Sequence, residues 1–309
     1  MKGFTALTTA INAALFDQMQ KFNETIVGKL CMDVEGDGSQ SFGWLGAPPR
    51  MEEFMGELKI KDLSEMTYAI RNKNYAVALG VNRLDLSRDR LGRYKSRIQE
   101  MAIETVLHPW ESMITAIEAG EATVCYDGQY FFDTDHADKG AEYKTSQSND
   151  LTYNVNTATA PTVAEAKLAL DQAIAALAAF KDDKGRIYHA NPREGLMVLI
   201  PWSFYAVFRD VLELETTDNG GKNPYYKIAD LHVDARSTWT TKFAVFKTDR
   251  PFKPLVLQHE PVEGKRWRVE NTSPDGDLAI TTDQLIYAVK GRYNIGYGQW
   301  RNAVLTTLT

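Results

Sequence analysis

The chain has 309 residues, 44% hydrophobic, 25% charged and 11% aromatic, a composition that excludes disordered and collagen-like classes and demands a packed core. Lys and Arg number 35 against 41 Asp and Glu, leaving a formal net charge of −6 and no global positive field to hold nucleic acid. The two cysteines, Cys31 and Cys125, form no C-x-x-C pair. No apolar run approaches the ~20 residues of a membrane span, and Thr5, Thr8, Thr9 and Asn12 interrupt anything resembling a secretion signal.

Phe4, Leu7, Ile11, Leu15, Met19, Phe22 and Ile26 recur at helical spacing. They read either as an ordinary core helix or as an amphipathic N-terminal arm that binds a partner. Glycines and Asp37 over 35–40 mark a turn-rich joint. Over 58–81 the period shortens to two, with Leu58, Ile60, Tyr68, Ile70, Tyr75, Val77, Leu79 and Val81 alternating with polar or small residues. That alternation predicts a long antiparallel hairpin whose Lys59, Lys61, Arg71 and Lys73 face solvent or a partner.

The helical stripe returns with Leu91, Tyr94, Ile98, Met101 and Thr105, and continues with a phase shift through Trp110, Met113, Ile114 and Ile117 to Gly120. One helix of about 30 residues, roughly 45 Å long, is expected, with a kink near His108 because Pro109 removes a hydrogen bond. With no heptad seam, it is a spine for other elements. A strand is expected over 129–132, and residues 133–160 read as a polar surface excursion. Thr162 and Glu165 form a capping box ahead of a helix whose buried stripe is Ala166, Leu170, Ala173, Ile174, Leu177 and Ala178. A fully buried strand follows over 196–200, then a helix opened by Pro201 with Phe204, Val207, Phe208, Val211 and Leu212 inward. The remainder predicts strands over 238–246, 255–258, 267–270 and 287–297.

Chemistry is sparse. Asp133, Asp135 and His136 offer oxygen and nitrogen donors that a divalent cation would accept, which makes a metal-binding enzyme or binding module the alternative reading. The segment lacks calcium-loop spacing and paired helical histidines, so a side-chain-capped turn is favoured; no metal, cofactor or catalytic residue is assigned. Gly291, Gly296 and Gly298 lack the Lys-Ser/Thr of a phosphate loop and read as places where elements pass closely beside Tyr293, Tyr297 and Trp300. The histidines show no H-x-x-x-H spacing and no serine lies in a G-x-S-x-G turn. Basic residues at Arg83, Arg88, Arg90, Arg93, Lys95 and Arg97, and again at Lys265, Arg266 and Arg268 around Trp267, are diluted by nearby acids and read as solvated faces.

Several stretches, weak singly, occur in order along nearly the whole chain: Phe42-Gly-Trp-Leu-Gly46 with Pro48-Pro-Arg50, the run from Tyr68 to Tyr75, His108-Pro109 in the long helix, the run from Cys125 to His136, the run from Gly195 to Pro201, Lys253-Pro-Leu-Val-Leu-Gln258, and the run from Gly291 to Trp300. Together they resemble the Mu-like phage major head (major capsid) subunit family. The resemblance implies an α+β chain with the tailed-phage and herpesvirus major capsid protein fold. Its parts would be an N-terminal arm (1–40), an extended hairpin loop (41–84), a peripheral domain with the spine helix (85–150), an axial domain (151–284) and a return to the peripheral domain (285–309). It also implies self-assembly as hexamers and pentamers into the icosahedral shell of a virion, built in the bacterial host cytoplasm. Its partners would be a portal, a separate scaffold, decoration proteins and packaged double-stranded DNA held without sequence-specific binding, with no membrane involved. In some relatives of the fold a Lys and an Asn of adjacent subunits join covalently; Lys59 and Lys61 lie in the corresponding loop, but no motif marks their partner.

Overall fold

The computed structural model describes residues 26–36, 39–41, 68–82, 92–137, 143, 145–217, 220–261, 266–272 and 283–309, with a few single positions besides. The arm stripe before Ile26, residues 42–67 with Lys59 and Lys61, and the basic positions Arg83, Arg88, Arg90 and Lys265 lie outside the described residues.

In chain order the elements are α1 (Ile26–Leu30), β1 (Cys31–Glu35), β2 (Ser39–Ser41), β3 (Ala69–Arg71), β4 (Lys73–Asn82), the long helix α2 (Gly92–Glu118), β5 (Asp150–Tyr153) and α3 (Val163–Ala179). Then come β6 (Leu196–Pro201), α4 (Tyr205–Leu212), β7 (Asp230–Asp234), β8 (Lys242–Lys247), β9 (Leu255–His259), β10 (Trp267–Asn271), β11 (Gln284–Tyr297) and β12 (Ala303–Leu308).

Helix α2 runs without interruption through Pro109 and spans about 40 Å at 1.5 Å per residue. Ile98, Met101, Thr105, Met113, Ile114 and Ile117 are its buried residues among those expected, while Trp110 is half-buried. The α3 start follows the predicted capping box, the Thr162 side chain accepting from the Glu165 N–H and the Glu165 carboxylate accepting from the Thr162 N–H at 2.8 Å. All of β6 is buried, so it reads as one apolar run rather than an alternation. Pro201 ends this strand, and a single 3-10 turn (Trp202–Phe204) separates it from α4.

The strands form two five-stranded sheets and a small β2–β3 pair. In the first sheet β1, β9, β11 and β10 lie side by side, and β4 flanks β11 antiparallel from Lys73 opposite Tyr293 to Asn82 opposite Gln284. Helix α2 packs on this sheet through β11 and β4. The second sheet has the order β5-β12-β8-β6-β7, with α3 and α4 against it. One continuous apolar core runs through both.

Strand β4 pairs with β11, which alternates Leu285, Tyr287, Val289 and Tyr293 inward over a stretch long enough to match it, while the first half of the hairpin expected over 58–81 lies outside the described residues. Within 285–309, β11 joins the first sheet and β12 inserts between β5 and β8 in the second. Strands β9 and β10, within the span 151–284, lie in the first sheet beside β11. Residues 133–160 are no mere excursion, since they contain β5 and the buried His136 and Asn149. Over 129–132 only an isolated bridge, Tyr130 with Val124, forms after the Asp127-Gly128 turn.

Candidate functional site

The segment carrying Asp133, Asp135 and His136 leaves the end of α2, turns at Gly128 and comes back beneath the chain just before β12. His136 is fully buried, its ring stacked on the Trp300 indole with centroids 4.0 Å apart. Nε2 lies 3.1 Å from Asn149 Oδ1 and Nδ1 lies 2.6 Å from Asp127 Oδ2. The orientation of Asn149 is fixed independently: its amide nitrogen donates to Phe131 O at 2.8 Å and its Oδ1 accepts from Asp133 N at 2.9 Å. Nε2 of His136 therefore donates, and Nδ1 is engaged by the Asp127 carboxylate. Both ring nitrogens are committed, so neither lone pair is available to a cation. Asp133 accepts from the Tyr130 and Thr134 N–H groups, the side-chain-capped turn that the sequence favours. Burial works to raise its carboxyl, but these two N–H groups and Asp135 hold it below the usual range. Asp135 is exposed, and its bond with Asp133 raises its own carboxyl. Among the described residues, no group of three His, Cys, Asp or Glu side chains is placed to hold a metal.

The network continues into β12. Arg301 is buried, donates from Nε to Lys181 O at 2.8 Å and lies over the Trp300 ring at 4.2 Å. His189 Nε2 donates to Arg301 O at 2.8 Å. The residues around His136 thus pin the approach to β12, the strand that carries the chain from the first sheet into the second. The sequence singled out His136 as a donor but gave no sign of Asn149 or Arg301, because partners 13 and 165 positions away leave no local pattern.

A second cluster fastens α2 to the second sheet. Trp110 Nε1 donates to Asp234 Oδ2 at 2.7 Å, and the Arg236 guanidinium sits over the Trp110 ring at 4.9 Å while bonding Asp234 and Glu111. Near the end of α2, Glu118 accepts from the Ser237 hydroxyl and the Thr238 N–H at 2.8 and 2.7 Å. Burial pushes the Asp234 carboxyl up, yet the Arg236 N–H, its guanidinium and the indole N–H together hold it below the ordinary value.

The remaining candidates resolve as packing. Trp267 is buried and meets Tyr293 edge-on; Arg266 pairs with Asp33 and Arg268 with Glu270. A Cβ on Gly291 would lie 2.3 Å from Trp267 and one on Gly296 2.4 Å from Ile70, so both glycines let elements pass closely, as their spacing among aromatics predicts.

The described residues build two sheets bridged by a long clamped helix, with polar networks around His136 and Trp110 that hold distant parts of the chain together. Among solved structures, the procapsid protein of bacteriophage JBD30 superposes with a TM-score of 0.56 at 23% identity, over 98% of this chain and 74% of that one. The fold is that of the tailed-phage capsid proteins. The family described as Mu-like prophage major head subunit gpT matches residues 4–159 and 232–308, and the chain belongs to this family. It is 33% identical over 133 residues to the Mu-like prophage FluMu major head subunit of Haemophilus influenzae, covering 43% of each chain. It is 36% identical over 98 residues to the major capsid protein of Escherichia phage Mu, covering 32% of each. The matched stretches therefore span less than half the length of these relatives.

Proposed function

We propose that the chain is the repeating subunit of a phage head, associating with copies of itself as hexamers and pentamers into a closed icosahedral shell around double-stranded DNA. Membership of the Mu-like major head subunit family carries this reading, and the fold supports it. The first sheet with α2 forms the peripheral body and the second sheet with α3 and α4 the axial body. Function then resides in interfaces between copies and not in catalysis. A net charge of −6 suits a container that encloses DNA without gripping its sequence. Portal, separate scaffold and decoration proteins are its other partners, no membrane takes part, and the place of action is the virion after assembly in the bacterial host cytoplasm. Negative-stain microscopy of the expressed chain, alone and with phage scaffold and protease, tests the reading. Closed shells are expected; a persistent monomer under every condition overturns it.

A further inference from the structure

A cavity of about 220 Å³ opens between α2 and the β4–β11 face of the first sheet. Its floor is aromatic: the Tyr75 ring lies 4.4 Å from His108 and 4.7 Å from Tyr293, and Trp267 meets Tyr293 edge-on at 5.4 Å. Its rim on the helix side carries Glu104 and Glu111, seven residues apart and so on one helix face, and its sheet side carries Ala76, Val77 and Val289. Ring faces backed by carboxylates are the surroundings that attract an ammonium or guanidinium group, and a long aliphatic stem would cover the apolar wall.

The charges at the rim are unequal. Glu111 already pairs with Arg236, and Arg266 nearby is drawn to Asp33. His108 is engaged by the Tyr293 hydroxyl. Glu104 is exposed and has no hydrogen-bond or ion-pair partner among the described residues. Among the described residues, one negative charge is thus left uncompensated at the mouth of an aromatic cavity beside an exposed Val77.

We propose that this cavity receives a lysine or arginine side chain from a second copy of the chain, making it an anchoring socket of the subunit contact. The inference rests on the proposed self-assembly, and the experiment separates the two. Full-length wild type, Glu104→Lys, Val77→Trp and Glu100→Lys are assembled in parallel and the shell fraction is read by sedimentation, with circular dichroism confirming that each variant folds. Glu104→Lys puts a like charge at the rim, and Val77→Trp fills the cavity without changing charge. Glu100 is exposed on the same helix but does not line the cavity. Glu104→Lys and Val77→Trp are each expected to fold and to lower the shell fraction by about tenfold or more, the scale of one lost anchor contact, while Glu100→Lys assembles as wild type. Wild-type shell yield from either socket variant overturns the socket, as does an equal loss in Glu100→Lys. If wild type itself never assembles, the proposed function fails instead. Should Val77→Trp misfold, Glu104→Lys alone decides.

Discussion

Acidifying the dissociated subunit from pH 7 to pH 5 should remove about 2 kcal/mol of folding stability through one side chain, His189. The imidazole is buried, with Nδ1 unpartnered and Nε2 bonded to Arg301 O. Burial drives its pKa down from 6.5 to about 4; the carbonyl opposes this, and Lys247 and Arg250 add to it. The folded value is depressed, so between 6.5 and 4 the unfolded chain binds a proton that the folded chain refuses. Stability is therefore fully present above pH 6.5 and falls as pH drops toward 4. For a shift of this size the single-site linkage relation gives a loss of about 2 kcal/mol between pH 7 and pH 5. His189→Gln keeps a donor for Arg301 O but cannot titrate. Urea unfolding of both proteins at pH 7 and pH 5 isolates the effect, since every other titrating group is common to both. The variant should lose about 2 kcal/mol less than wild type on acidification; an identical loss in both would refute the assignment.

Other perturbations probe separate parts of the fold. Trp110→Phe deletes the indole bond to the Asp234 carboxylate and should cost about 1.5–3 kcal/mol in urea unfolding; an unchanged midpoint would show that this contact does not fasten α2 to the second sheet. Thr162→Ala removes the capping hydroxyl of α3 and should cost about 1 kcal/mol by the same assay. Gly291→Ala drives a methyl into Trp267 and should cost about 1–3 kcal/mol, with a shifted near-ultraviolet tryptophan signal. Elemental analysis should find the same trace metal in wild type and Asp133→Ala; one equivalent lost in the variant would restore the metal-site reading.

What could be read from the sequence and what could not divide along one physical line. Features specified by neighbours in the chain were legible: the capping box of Thr162 and Glu165, the apolar run of β6, and the stripe of α2, whose buried residues follow helical periodicity. Features specified by distant partners were not. Strand β12 is buried almost throughout and sits centrally in the second sheet, yet Thr306 and Thr307 break its apolar run, so the segment carries little strand signal. Strand β7 has a half-buried pattern bounded by aspartates, and β1 is a five-residue strand paired in parallel with β9, more than 200 positions away. The candidate site shows the same division. Asp133 caps its own turn, as local spacing predicts, whereas the role of His136 depends on Asp127, Asn149 and Trp300 meeting around it.

The lysine-linked crosslink considered for Lys59 and Lys61 has its own readout, because denatured particles would run as a ladder of multimers if it formed and as a single band if it did not. The central claim is tested most directly by cryo-electron microscopy of particles assembled from this chain. The account predicts closed icosahedral shells in which the second sheet with α3 and α4 surrounds each capsomer axis and α2 with the first sheet lies at the capsomer edge. Shells with the two bodies exchanged, or no shell at all in the presence of scaffold and protease, would contradict it.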